Sequence, residues 1–67
     1  MISGVKRVNT QQISPSVTVC LGVGDNKSWV WVERDGNASR FESYWDGSDG
    51  RRAFVFRCEN EKEKLNG

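Results

Sequence analysis

The chain reads as a small all-β domain, a four- to five-stranded antiparallel meander forming a small curled sheet or an SH3-like barrel. Three observations predict it. Short runs rich in Val, Trp, Phe and Tyr recur along the chain. Gly, Asp and Asn divide them, and Asp-Gly between alternating runs is a strong hairpin signal. A single strand register then satisfies every turn at once and gathers the apolar side chains on one face.

The first segment is the least defined. Ile2, Val5 and Val8 are spaced as on one side of a short helix, yet Val5 to Val8 also fits an extra strand. Strands are then expected over Ser16 to Val23, Ser28 to Arg34, Ala38 to Trp45 and Arg51 to Cys58. The separators Gly24-Asp25-Asn26-Lys27, Asp35-Gly36-Asn37 and Asp46-Gly47-Ser48-Asp49-Gly50 all have turn composition.

Closing the first hairpin at Asp25-Asn26 sets Val23 opposite Ser28, Leu21 opposite Val30 and Val19 opposite Val32. A two-residue loop at Asp35-Gly36 sets Arg34 opposite Asn37, Val32 opposite Ser39, Trp31 opposite Arg40 and Val30 opposite Phe41. A loop over residues 47–50 sets Ser43 opposite Phe54 and Phe41 opposite Phe56. The core face then holds Val17, Val19, Leu21, Val23, Val30, Val32, Phe41, Trp45, Phe54 and Phe56. Thr18, Cys20, Gly22, Trp29, Trp31, Ala38, Arg40, Glu42, Tyr44, Ala53, Val55 and Arg57 fall on the other face.

An apolar sheet face must be covered, and no amphipathic helix of adequate length is apparent. The sheet is therefore expected to close into a small barrel with residues 1–13 as a fifth strand, or to pack against a second copy. The domain is expected over residues 1–58, with residues 59–67 a charged tail, flexible or briefly helical. Within that tail Glu59 and Lys62, and Glu61 and Lys64, stand at helical pair spacing.

Composition narrows the function. Sixty-seven residues make one small domain. A net charge of +1 speaks against the basic footprint of a duplex nucleic-acid binder. With 36% hydrophobic residues the chain is too apolar for disorder, and no apolar run exceeds the few residues of Trp29 to Val32, too short for a bilayer. The first residues lack the apolar stretch of a secretory signal, so a cytoplasmic home with reduced thiols at Cys20 and Cys58 is expected. The register sends those thiols to opposite faces, beyond disulfide reach.

Chemistry-bearing motifs are few. The absence of histidine removes the commonest general base, and two thiols alone do not complete a structural zinc site. Gly22 to Ser28 lacks the Gly-Lys-Ser ending of a phosphate loop. Asp46 to Gly50 opens like a calcium loop, but Arg57 stands where the bidentate Glu belongs. A non-enzymatic protein without a cofactor is expected.

The distinctive feature is aromatic. Trp29 and Trp31 alternate with Val30 and Val32, which places both indoles opposite the core with Trp31 beside Arg40 in cation–π geometry. The candidate partner-binding residues are Trp29, Trp31, Arg40, Glu42, Tyr44 and Arg57, because Trp, Tyr and Arg are enriched at binding hot spots. The competing reading buries both indoles under the N-terminal segment or the far half of a barrel. The function expected is docking on a larger protein partner, as an inhibitor or modulator of the kind found among small phage and plasmid accessory chains. The second reading is single-stranded nucleic-acid binding, with aromatics stacking bases and Arg40, Arg51, Arg52 and Arg57 neutralising phosphates. Arg52-Ala53-Phe54-Val55-Phe56 resembles the aromatic strand of RNA-recognition and cold-shock sheets, over those few residues only. A homodimer is compatible with either.

Overall fold

The computed structural model describes residues 4–66, so Ile2 lies outside the described residues. Five strands precede one helix: β1 (Lys6–Ser14), β2 (Val17–Gly24), β3 (Lys27–Arg34), β4 (Asn37–Ala38), β5 (Glu42–Tyr44) and α1 (Gly47–Asn66). The turns set the meander. Asp25 and Asn26 have φ of 53° and 60°, and Asp35 and Gly36 have 52° and 83°. Paired positive φ is the type I′ geometry whose twist matches flanking strands, and Asp, Asn and Gly tolerate it. The β2–β3 register follows as expected, with Val19 opposite Val32, Leu21 opposite Val30 and Val23 opposite Ser28. The N-terminal segment is a strand and pairs antiparallel with β2, with irregularities at Val8 and Ile13.

The next strand departs from expectation. Arg34 pairs with Asn37 and Glu33 with Ala38 as foreseen. Pairing then resumes with Val30 opposite Glu42 and Ser28 opposite Tyr44, one residue out of the expected register. The extra residue is absorbed between Ala38 and Glu42. There Ser39 donates its N–H to the Val32 carbonyl at 2.7 Å, and its Oγ accepts the Val32 N–H at 2.9 Å. A one-residue insertion reverses every face beyond it. Phe41, expected in the core between Val30 and Phe56, stacks instead on Trp31, with ring centroids 4.5 Å apart. Tyr44, expected outside, packs against the core, and Trp45, expected inside, is exposed.

The larger correction is the C-terminal third. The expected strand over Arg51 to Cys58 and the expected tail are both parts of α1, which runs through the 58/59 boundary. Asp46 caps it: Oδ1 accepts the Ser48 N–H at 2.9 Å, and its carbonyl accepts the Gly50 N–H at 3.0 Å. Asp49 adds a negative charge to the first turn, where the helix dipole favours it. Neither Gly nor Pro occurs from Arg51 to Asn66, and Gly50, Phe54, Cys58 and Glu61 make one buried stripe.

Val19, Leu21, Val30 and Val32 of the sheet meet Phe54 and Cys58 of α1 in the core, with Ile13, Val17, Tyr44 and Ala53 around it. Val23 and Phe56, expected in that core, are exposed. The sheet order is β1-β2-β3-β4, with β5 also beside β3, and the sheet stays open. No barrel forms because the helix supplies the second layer. Among the described residues no helix is long and apolar enough to cross a membrane.

Candidate functional site

The face of the sheet away from α1 is built on the alternation of β3. Ser28, Val30 and Val32 turn to the helix side, so Lys27, Trp29, Trp31 and Glu33 turn the other way. Gly22 of β2 makes room for Trp31. A Cβ there would lie 2.9 Å from Trp31 Cζ3 and 2.8 Å from Val5 Cγ1, so the indole sits over bare backbone. Trp31 is only 4% exposed, and Cys20, its neighbour across the ladder, is buried with it. With Phe41 stacked on top, these residues make a second, smaller apolar cluster on this side of the sheet.

Polar groups rim that cluster. Trp31 Nε1 donates to Glu33 Oε2 at 3.2 Å, and Arg7 Nη2 donates to the same oxygen at 2.8 Å. Val5, Arg7, Trp31, Glu33, Ser39 and Phe41 line an open cleft of about 580 Å³. That is the size range of small-molecule or side-chain pockets. Farther along β3, Lys27 Nζ lies 4.4 Å from the Trp45 ring centre and 5.8 Å from that of Trp29. Trp29 Nε1 donates to the Gly24 carbonyl at 2.9 Å, which holds its ring in place. Trp45 is 80% exposed.

The six expected site residues divide between the two sides. Trp29 stands half-buried on the helix-free face and Trp31 forms the floor of its cleft. Arg40 is exposed at the interruption beside β4, but Trp31 stacks on Phe41 in place of Arg40. Glu42 and Tyr44 follow Val30 and Ser28 to the helix side. Glu42 Oε1 accepts from Arg57 Nη2 at 2.5 Å, a tie between β5 and α1. Lys27 and Glu33 were legible from the alternation that carries Trp29 and Trp31. Phe41 and Trp45 were not, because their faces depend on the inserted residue.

Burial pushes the Cys20 thiol up to about 11, with the Glu33 charge adding to it. Burial raises Cys58 as well. Both thiols are therefore protonated at neutral pH, and the sheet stands between them. Among the described residues no group of three or more His, Cys, Asp or Glu is placed to hold a metal ion. What this face offers is rigid aromatic contact area, a cleft, and a few charges at its rim. No protein-family profile, curated protein or solved structure gives a significant match to this chain.

Proposed function

We propose that the chain is a non-catalytic binding module that docks its helix-free sheet face on a larger protein, as an inhibitor or modulator in a reducing, cytoplasmic setting. The observation that carries this reading is a run of aromatics along the helix-free face: Trp31 and Phe41 stack in the open cleft, and farther along β3 Lys27 lies over the rings of Trp29 and Trp45. Rigid aromatics give large contact area at low entropy cost, and buried-rim arrangements of this kind characterise protein hot spots. The charge of the face is mixed, since Arg7 is neutralised by Glu33. Of the four arginines that a nucleic-acid reading needs, three are on α1, where Arg57 is tied to Glu42 and Arg52 to Asp49. That favours a protein over a single strand.

The test is capture from the native host with wild type and with Trp45→Ala/Arg40→Ala, with and without nuclease, followed by titration of the captured partner. The pair is chosen because both residues are exposed, so the fold survives their truncation. A nuclease-resistant partner whose affinity falls about thirtyfold or more in the variant supports the reading. Nuclease-sensitive capture that weakens steeply with salt replaces it with single-stranded nucleic-acid binding.

A further inference from the structure

The helix side of the sheet is only partly covered. α1 packs chiefly on β2 and β3, and β1 is the outermost strand. Between β1 and the helix runs an open groove of about 1010 Å³, lined by Val8, Leu21, Val23, Val55 and Phe56. Leu21 forms its buried base, while Val8, Val23, Val55 and Phe56 are exposed, Phe56 at 67%. A contiguous apolar strip of this kind, on a chain this small, marks an interaction surface.

The helical wall of the groove is antisymmetric in charge. Arg51 and Arg52 precede Val55-Phe56, and Glu59 follows. Among the described residues Arg51 and Glu59 make no ion pair, and Arg52 is held only by exposed Asp49. Such a stripe is complementary to itself when reversed. We infer that a second copy of this chain occupies the groove, with two α1 helices antiparallel about a two-fold axis between Val55 and Phe56. Each Phe56 then enters the partner copy's groove, and the arginines of each helix face Glu59 of the other. This is the isologous arrangement that closes a dimer, in which one patch serves both subunits. It buries the strip that α1 leaves open and uses the side of the sheet opposite the aromatic face. The dimer therefore presents two partner faces outward, and the two proposals stand or fall separately.

The experiment is sedimentation equilibrium on the full chain over a wide concentration series. The wild type is expected to pass from monomer to dimer. Phe56→Asp is expected to weaken association about thirtyfold or more, with an unchanged circular dichroism spectrum. Glu59→Arg is expected to weaken it too, and Glu59→Arg/Arg51→Glu/Arg52→Glu to restore it by swapping the two ends of the stripe. A monomer at every concentration, or a dimer that neither Phe56→Asp nor Glu59→Arg weakens, overturns the inference.

Discussion

Glu61 carries its charge where water barely reaches, at 2% exposure on the buried stripe of α1. Its Oε2 accepts from the Arg34 guanidinium at 2.6 Å and from the Lys64 ammonium at 3.3 Å. The Arg34 hydrogen bond holds this carboxyl below its ordinary value of 4.5, against burial, which acts in the opposite direction. In the unfolded chain the carboxyl titrates at that ordinary value. The pair therefore contributes fully above it, and the contribution is lost as pH falls through the lower folded value. Glu61→Gln is expected to lower stability at neutral pH by about 1.5 kcal/mol, the low end for a charged hydrogen bond, since Arg34 is 45% exposed. Denaturant midpoints measured from neutral to strongly acidic pH should converge for the two proteins. Parallel curves would mean that Glu61 is not the titrating group. The pairing of Glu61 with Lys64 was legible in the sequence as helical spacing; the pairing with Arg34, 27 residues away, was not.

α1 is seated on the sheet through Gly50. A Cβ on Gly50 would stand 2.4 Å from the Ser28 Cβ, so the first turn of the helix rests directly on β3. In an exposed helix Gly→Ala raises stability by about 1 kcal/mol. Here forcing an extra carbon into a closed contact costs about 1–3 kcal/mol, and the steric term wins. Gly50→Ala is expected to lower the thermal midpoint, and Gly50→Ala/Ser28→Gly to recover much of it. A rise in midpoint for the single variant would show that the helix does not sit on Ser28. The signals for this helix were present in the sequence. Asp46 and Asp49 suit a helix start, and no Gly or Pro interrupts the next sixteen positions, Arg51 to Asn66. They lost to an apparent strand alternation because Arg51 to Cys58 is short enough to satisfy both periods. The slip between Ala38 and Glu42 had no signal at all, since Ser39, Arg40 and Phe41 include no residue that demands a bulge.

The molecule has an apolar cluster on each side of one sheet, and its three tryptophans sample the range between them. Trp31 is packed against Gly22, Val5 and Phe41, Trp29 is half-buried, and Trp45 is exposed. Trp31→Ala is expected to cost about 3–5 kcal/mol. For a domain of this size that is most of the total stability, so the variant should be largely unfolded. Trp45→Ala should stay within about 0.5 kcal/mol of wild type. Iodide should quench the Trp45 emission first, and Trp45→Phe should remove the accessible fraction. Equal stability losses for Trp31→Ala and Trp45→Ala would mean that the helix-free cluster does not contribute to the fold. Trp31 is buried, the alternative that the sequence reading held open, so Trp45 and Arg40 are the residues that test binding without unfolding the domain.

The β2–β3 hairpin, its register and the turn into β4 were determined by the sequence itself. Asp25, Asn26 and Asp35 tolerate positive φ through their short polar side chains and Gly36 because it has no Cβ, and once two such turns are set, Val19, Leu21, Val30 and Val32 have to share a face. Three features were decided only by tertiary structure: the helix that covers that face, the inserted residue that sends Phe41 and Trp45 to the opposite side, and the open sheet. Each depends on contacts between distant residues, Gly50 on Ser28, Arg57 with Glu42, and Arg34 with Glu61. Local propensity at these positions is nearly balanced between alternatives, and burial against a partner far along the chain tips the balance.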